Sequence, residues 1–407
     1  SMSRGIAPAP QPEPPPEAVA LPGDADDSTV GDRPAVAQPP EPPQSQWQLI
    51  GRRFRRHRLA VYCGYFLIVL LTMGVFAEFF APYPKGLDNV SHSYCPPQIP
   101  RFSLDKGLHA PAVVKRIDPE TLKNAFVEAP GVHVPLGFFV VGEPYRLWGL
   151  IPLKTRFFGV DREAFEARFA ERGVEPTFYL LGADKYGRDL LSRIIAGTRV
   201  SLSVGLVGIA LTFVLGLVIG GVSGYVGGAL DNFIQRSIEV ISAFPQLPLW
   251  MALAALLPKD WSVLATYFGI TVVLSLLGWT GLARVVRGKL LSLREEDYAV
   301  AARLVGASHG RIIFRHLIPG FTSHVIVVAT LSVPAMILGE TSLSFLGIGL
   351  RPPVVSWGVL LQDCMSLQVV ASYPWLLMPV VLIVLTALAF NYLGDGLRDA
   401  ADPYSKP

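Results

Sequence analysis

The sequence predicts an all-α integral membrane fold. Three observations lead there: a mean hydropathy of +0.42 over 407 residues, 51% hydrophobic against 16% charged residues, and a series of apolar runs long enough to cross a bilayer. Soluble domains carry about 25% charged residues, and a spanning helix needs about 20 apolar residues to cross ~30 Å of hydrocarbon. The net charge of +3 is small, and Lys and Arg sit between the apolar runs rather than on a basic stripe, so no nucleic-acid partner is expected.

Residues 1–46 are dominated by Pro, Ala, Glu and Asp, with twelve prolines between Ser3 and Gln46. Such a segment buries too little apolar surface to offset the entropy of ordering, and it reads as a disordered cytoplasmic tail. Arg52-Arg53-Phe54-Arg55-Arg56-His57-Arg58 then precede the run 59–81, so 47–81 reads as a basic segment and first span with the N-terminus held in the cytoplasm. A cleaved signal peptide would have a shorter run and a small-residue cleavage site.

Residues 82–199 are hydrophilic to mixed and are expected to form a small extracytoplasmic α+β insertion between the first and second spans, ending in a pre-helix motif. Phe165 and Phe169 give Asp161–Arg172 a helical spacing, and Phe138–Val141 reads as a short strand. A five-helix core over 200–396 follows, with spans at about 200–224, 236–257, 263–284, 322–347 and 374–394 and a cytoplasmic C-terminus at 397–407. The loop 285–321 holds Arg287, Lys289, Arg294, Arg303, Arg311 and Arg315, whereas the loop between the third and fourth spans holds Lys259, in keeping with the positive-inside rule.

Gly216, Gly220, Gly224 and Gly228 recur every fourth residue, a bare stripe that lets helix backbones approach closely. Asp184, Arg188, Asp189 and Arg193, with Gly187 between them, read either as ion pairs on a solvated helix or as an interfacial element fixing the periplasmic mouth. Glu340 lies inside the fifth span, where an ionisable group has to face protein or a water path; it is a possible pathway residue or a Glu bonded to neighbouring hydroxyls such as Thr341 or Ser342. Cys63 reads as a small buried hydrophobe. Cys95 and Cys364 would face the same side of the membrane, and two unrelated thiols are the simpler reading than a pair.

The loop from Asp297 to Pro319 reads as two short amphipathic helices broken at Gly306 and stopped at Pro319. Ala301 and Ala302 leave a flat surface, Ile312, Ile313 and Leu317 offer apolar anchors, and the arginines supply a cationic rim on which a soluble partner could push. No phosphate-cradling loop is present, since Gly288-Lys289 runs into Leu290, and no clustered His/Cys or nucleophile motif appears. The chain is expected to be no enzyme and to borrow its energy.

Val300-Ala301-Ala302, Gly306 after three residues, and His316-Leu317-Ile318-Pro319 after nine more resemble the signature of ABC importer permeases, Glu-Ala-Ala, three residues, Gly, nine residues, Ile-x-Leu-Pro. Val300 and His316 depart from it. Leu181 to Arg193 is similar to the motif preceding the second span in the dipeptide/oligopeptide/nickel branch, and Leu343-Ser344-Phe345-Leu346-Gly347, Pro352-Pro353-x-x-Ser356-Trp357-Gly358 and Gly394-Asp395-Gly396-Leu397-Arg398-Asp399-x-x-Asp402-Pro403 match that branch too.

The resemblance implies a type I ABC importer permease fold of six spans in a bacterial inner membrane. It implies a second permease as heterodimer partner, two ATPase subunits that bind ATP and Mg in place of this chain, and a periplasmic solute-binding protein that delivers peptide. It also implies an ATPase-docking loop containing Ala301, Ala302, Arg303, Gly306, Ala307, Arg315, His316 and Pro319. Nickel complexes, opines and oligosaccharides are alternative substrates. An ion-coupled secondary transporter or channel would need paired intramembrane charges or an internal repeat, and a membrane enzyme would need a cluster of acid, base or metal ligands.

Overall fold

A computed structural model describes residues 46–117 and 124–401; the proline-rich tail and Asp402-Pro403 lie outside them. The helices are α1 (Gln46–Arg56), α2 (Arg58–Val75), α3 (Ala77–Phe80), α4 (Arg162–Phe169), α5 (Leu190–Val226), α6 (Gly228–Ala243), α7 (Gln246–Ala255), α8 (Val263–Leu293), α9 (Asp297–Leu304), α10 (His309–Arg311), α11 (Ile318–Phe345), α12 (Trp357–Leu360), α13 (Leu367–Ser372) and α14 (Met378–Ala401). Among the described residues five helical stretches are long and apolar enough to span a membrane, or six if one bent pair counts as a span.

That pair is α6 and α7, bent by 91° where a single span over 236–257 is expected. The reason is Pro245. The residue before a proline is pushed to extended backbone, and Phe244 adopts φ −89°, ψ 140°. The first span, expected to end at 81, stops at Val75, where Phe76 leaves the helix with φ −103°, ψ 36°. α5 and α8 instead run longer than their apolar cores: α5 starts ten residues before 200, and α8 carries Arg287 inside the helix, where its guanidinium meets both oxygens of Asp231 on α6 at 2.6 Å.

α5 and α8 form the most extensive helix pair. A Cβ at Gly216 would lie 2.8 Å from the Leu282 side chain, at Gly220 2.5 Å from the Ala283 carbonyl oxygen, and at Gly224 2.8 Å from that of Arg287. These three glycines therefore set the helix separation, as the stripe predicts. Gly228 does not belong to it: α5 ends at Val226, and Gly227 and Gly228 turn the chain with φ of +70° and +65°. A second core of Leu67, Leu202, Val333, Ile337, Ile383 and Phe390 joins α2, α5, α11 and α14 around fully buried Trp357.

Between the first and second spans the chain forms an antiparallel sheet in the order β1 (Arg101–Ser103), β2 (Gly107–Ile117), β3 (Asn124–Leu147), β4 (Ile151–Val160). The short strand expected at Phe138–Val141 is part of the 24-residue β3, whose first half pairs with β2 and whose second half pairs with β4. Buried Arg156 on β4 donates to the carbonyls of Ala81 at 2.6 Å and Glu78 at 3.2 Å, which fixes the sheet to the segment that follows α2.

Candidate functional site

The loop between α8 and α11 is built on a glycine. Ala307 N donates to the carbonyl of Ala302 and Gly306 N to that of Arg303, at 3.1 and 3.0 Å, while Gly306 sits at φ +83°. This is the Schellman closure of α9, which demands a residue comfortable in the left-handed region and a small apolar contact across the cap, here Ala302 with Ala307. Ser308 then caps α10 by accepting from Arg311 N.

The loop's apolar residues divide otherwise than the sequence suggests. Ile312, Ile313 and Leu317 are 1%, 4% and 0% exposed; they pack with Leu282, Val286, Leu290 and Ala299 in the chain's own core, so they cannot anchor a partner. Leu304 and Val305, beside Gly306, are instead 83% and 88% exposed, with half-exposed Phe314 nearby. Ala301, Arg303, Arg315 and His316 are exposed, and Ala302 and Ala307 half-buried. Pro319 stops nothing. It lies in the first turn of α11, where a missing N–H costs no helix bond, and Ile312–Leu317 continues into it as a π-helical turn. The loop leans on the end of α5: His309 Nδ1 lies 3.3 Å from the Tyr225 hydroxyl, and the Arg303 guanidinium stands 5.7 Å above that ring.

The motif 181–193 is no solvated helix. Asp184 and Arg188 lie in a turn closed by the Ala183–Asp189 bridge, and α5 begins at Leu190. The Asp184 carboxylate, 3% exposed, accepts from Arg188 Nε and Arg193 Nη1, both at 2.7 Å, and from the backbone N–H of Tyr186 and Arg188. Asp189 caps α5 by accepting from Ser192 N at 2.8 Å, and burial pushes its carboxyl up to about 6. Gly187, at φ +72°, is forced to be glycine because a Cβ would overlap the Asn89 carbonyl. Lys185 pairs with Asp363 at 2.8 Å and Trp375 donates to the Ala183 carbonyl, so the turn ties the segment after α3 to the one before α14. A cavity of about 230 Å³ opens beside Asp184, Arg188, Arg193 and Gln362.

Glu340, the possible pathway residue, is 0% exposed and faces no opening in this structure. Its carboxyl oxygens accept from Ser201 Oγ on α5 at 3.0 Å and from Ser344 Oγ one turn along α11 at 2.8 Å, so it is bonded to neighbouring hydroxyls. Ser201 Oγ also accepts from Trp357 N, and Ser344 Oγ from Leu350 N. Gly358 allows the approach, since a Cβ there would lie 2.6 Å from the Thr341 carbonyl. The motifs around Ser344 and Ser356-Trp357-Gly358 are thus one polar knot between α5, α11 and α12. Glu340 and the serines were each visible in the sequence; that the one joins the others across α5 and α11 was not. Cys95 and Cys364 are free thiols packed in separate clusters.

Comparison with known proteins places this geometry. Residues 216–406 match the family described as binding-protein-dependent transport system inner membrane component, and residues 45–97 match the N-terminal TM domain of oligopeptide transport permease C. The chain is 41% identical over 227 residues to the oligopeptide transport system permease protein OppC of Haemophilus influenzae, covering 56% of this chain and 70% of that one. It is 42% identical over 236 residues to the dipeptide transport system permease protein DppC of Bacillus subtilis, covering 57% and 71%. It is 38% identical over 226 residues to the glutathione transport system permease protein GsiD of Pectobacterium atrosepticum, covering 56% and 73%.

Proposed function

The chain belongs to the inner membrane components of binding-protein-dependent transport systems, as a C-type ABC permease of the oligopeptide/dipeptide branch, and from this we propose that it forms half of the import path for peptides. As a permease it is not itself catalytic. ATP and Mg are held by two ATPase subunits, a second permease of similar fold completes the path, and a periplasmic binding protein delivers the substrate. Both termini lie in the cytoplasm and the sheet lies on the opposite side of the inner membrane.

The observation that carries the reading is the Leu304-Val305-Gly306 tip, an exposed apolar pair on a tightly capped turn whose base is core. The tip enters a groove of the ATPase, with Ala301, Arg303, Arg315 and His316 around it and Ala302, Ala307 and Pro319 shaping the turn. ATP-driven closure of the ATPases moves it, and the spans rock between inward-open and outward-open states. The Asp184, Gly187, Arg188, Asp189 and Arg193 turn braces the periplasmic mouth.

Leu304→Asp with Val305→Asp, and separately Gly306→Leu, in the reconstituted complex test this. Uptake of a labelled dipeptide should fall at least about tenfold while the chain stays in the membrane, because burying an unpaired charge in an apolar groove is costly. Uptake at the unmodified rate in both variants would overturn the docking assignment, and ATP-dependent uptake of a non-peptide solute unaffected by competing dipeptides would overturn the substrate.

A further inference from the structure

Aromatic side chains of the sheet gather where it meets the first span. Phe138 and Phe139 follow one another on β3, and successive residues of a strand normally point to opposite faces. Phe139, however, adopts φ +57°, a conformation rare for a bulky residue. The result is that both rings stand over Phe157 of β4, with centroids 5.6 and 5.7 Å away. Phe138 and Phe139 remain 61% and 62% exposed. At the tip of the hairpin, Trp148 and Leu150 are 49% and 78% exposed, and the Trp148 indole donates to the carbonyl of Val75, the last residue of α2. Such a surface is costly in water.

These rings do not face water alone. Phe138, Phe157 and Phe158 line an apolar recess of about 610 Å³ together with Ile68 and Met73 of α2 and Ile195 of α5. Ile68 lies seven residues before the end of α2, about 10 Å down the helix at about 1.5 Å per residue. The recess is therefore continuous with the flank of α2 on which Tyr65, Ile68 and Val69 are exposed, a flank that a spanning helix presents to hydrocarbon. Exposed Arg146 and Lys154 lie on either side of the hairpin tip, next to Trp148 and Tyr145, the pairing of aromatic belt and basic side chains found at a headgroup boundary.

We propose that the β3–β4 hairpin is a membrane-interfacial element: its aromatic edge lies in the leaflet at which α2 ends, and the recess between it, α2 and α5 holds phospholipid acyl chains. The proposal rests on the membrane placement of α2 that family membership brings. The sheet is then carried by the bilayer as well as by Arg156, and its aromatic edge anchors the insertion beside the path.

Nitroxide labels at Ile68→Cys, Phe139→Cys, Leu150→Cys and Leu104→Cys test this, one at a time, with Cys63, Cys95 and Cys364 replaced by Ala. The full complex is reconstituted in phosphatidylcholine/phosphatidylglycerol vesicles. Leu104, on the β1–β2 turn and 96% exposed, is the aqueous reference. Positions 139 and 150 should collide with dissolved oxygen several-fold more than with a water-soluble nickel chelate, as position 68 does, and position 104 should show the reverse. Chelate collision at 139 and 150 equal to that at 104 would overturn the proposal, as would exclusion of both reagents, which would mean a protein partner covers the hairpin. Chelate access at 68 as well would instead refute the membrane placement of α2.

Discussion

Glu340 and Ser201 are hydrogen-bonded at 3.0 Å between α11 and α5, both with no solvent exposure. A carboxylate at this depth persists because hydroxyls from two helices meet it. Glu340→Ala would leave the Ser201 and Ser344 hydroxyls without their acceptor, at about 1–3 kcal/mol for each buried group. We expect a large drop in thermal midpoint and in membrane abundance, with Glu340→Gln, which keeps one acceptor, falling between. A midpoint in Glu340→Ala equal to that of the unaltered chain would show that the knot does not hold α5 to α11.

Asp184 and Arg193 form an ion pair at 2.7 Å with both side chains nearly buried. Removing one member of such a pair costs about 3–5 kcal/mol, through the charge left behind. The two sides are unequal. Asp184→Ala strands Arg193 and leaves Arg188 with Asp88 at 3.8 Å, whereas Arg193→Met leaves Asp184 with Arg188 and two backbone donors. Thermal unfolding should therefore rank Asp184→Ala as the more damaging, and the opposite order would refute this account of the turn.

Asp189 gives a pH signature. Its carboxyl, pushed up to about 6 by burial, titrates above the about 3.9 of an unfolded chain, so the folded protein binds more protons between these values. Its contribution is fully present below about pH 4 and is lost as pH rises through about 6, by about 2–3 kcal/mol. Asp189→Asn removes the titration while keeping an acceptor for Ser192 N. Midpoints measured from about pH 4.5 to about pH 7.5 should fall more steeply in the unaltered chain than in the variant. Parallel curves would exclude Asp189 as the source.

Gly220 faces backbone rather than a yielding side chain, with the Ala283 carbonyl oxygen 2.5 Å from a would-be Cβ. Gly220→Val should separate α5 from α8 and cost at least about 1–3 kcal/mol. Gly221→Ala, whose nearest neighbour would be Ile313 Cγ2 at 3.4 Å, should be close to neutral. Equal midpoints for the two variants would show that the stripe does not set the spacing.

The spans and the loop between α8 and α11 were legible because both are written in local pattern: apolar length for one, the Ala-Ala to Gly306 spacing of a Schellman cap for the other. The bend at Phe244–Pro245 was legible in principle from the proline but was masked by the predominantly apolar run that continues on both sides of it. Longer-range relations escaped. Nothing near Glu340 in sequence points to Ser201, 139 residues away, and Ile312, Ile313 and Leu317 look like anchors until Leu290 and Val286 are seen to cover them. The same burial hid Leu304 and Val305, whose exposure follows from their place at the cap rather than from residue type.

The buried base of the loop between α8 and α11 also bears on its mechanical compliance. Ile312, Ile313 and Leu317 interlock with Leu282, Val286 and Leu290, so the tip cannot swing on a hinge of its own. A displacement imposed at Leu304 passes as a torque into α8 and α11 at once, and through the Gly216 to Gly224 contact into α5. Were the turn pushed as proposed, the packing at its base would make it a stiff crank rather than a tether, passing the displacement on instead of bending locally.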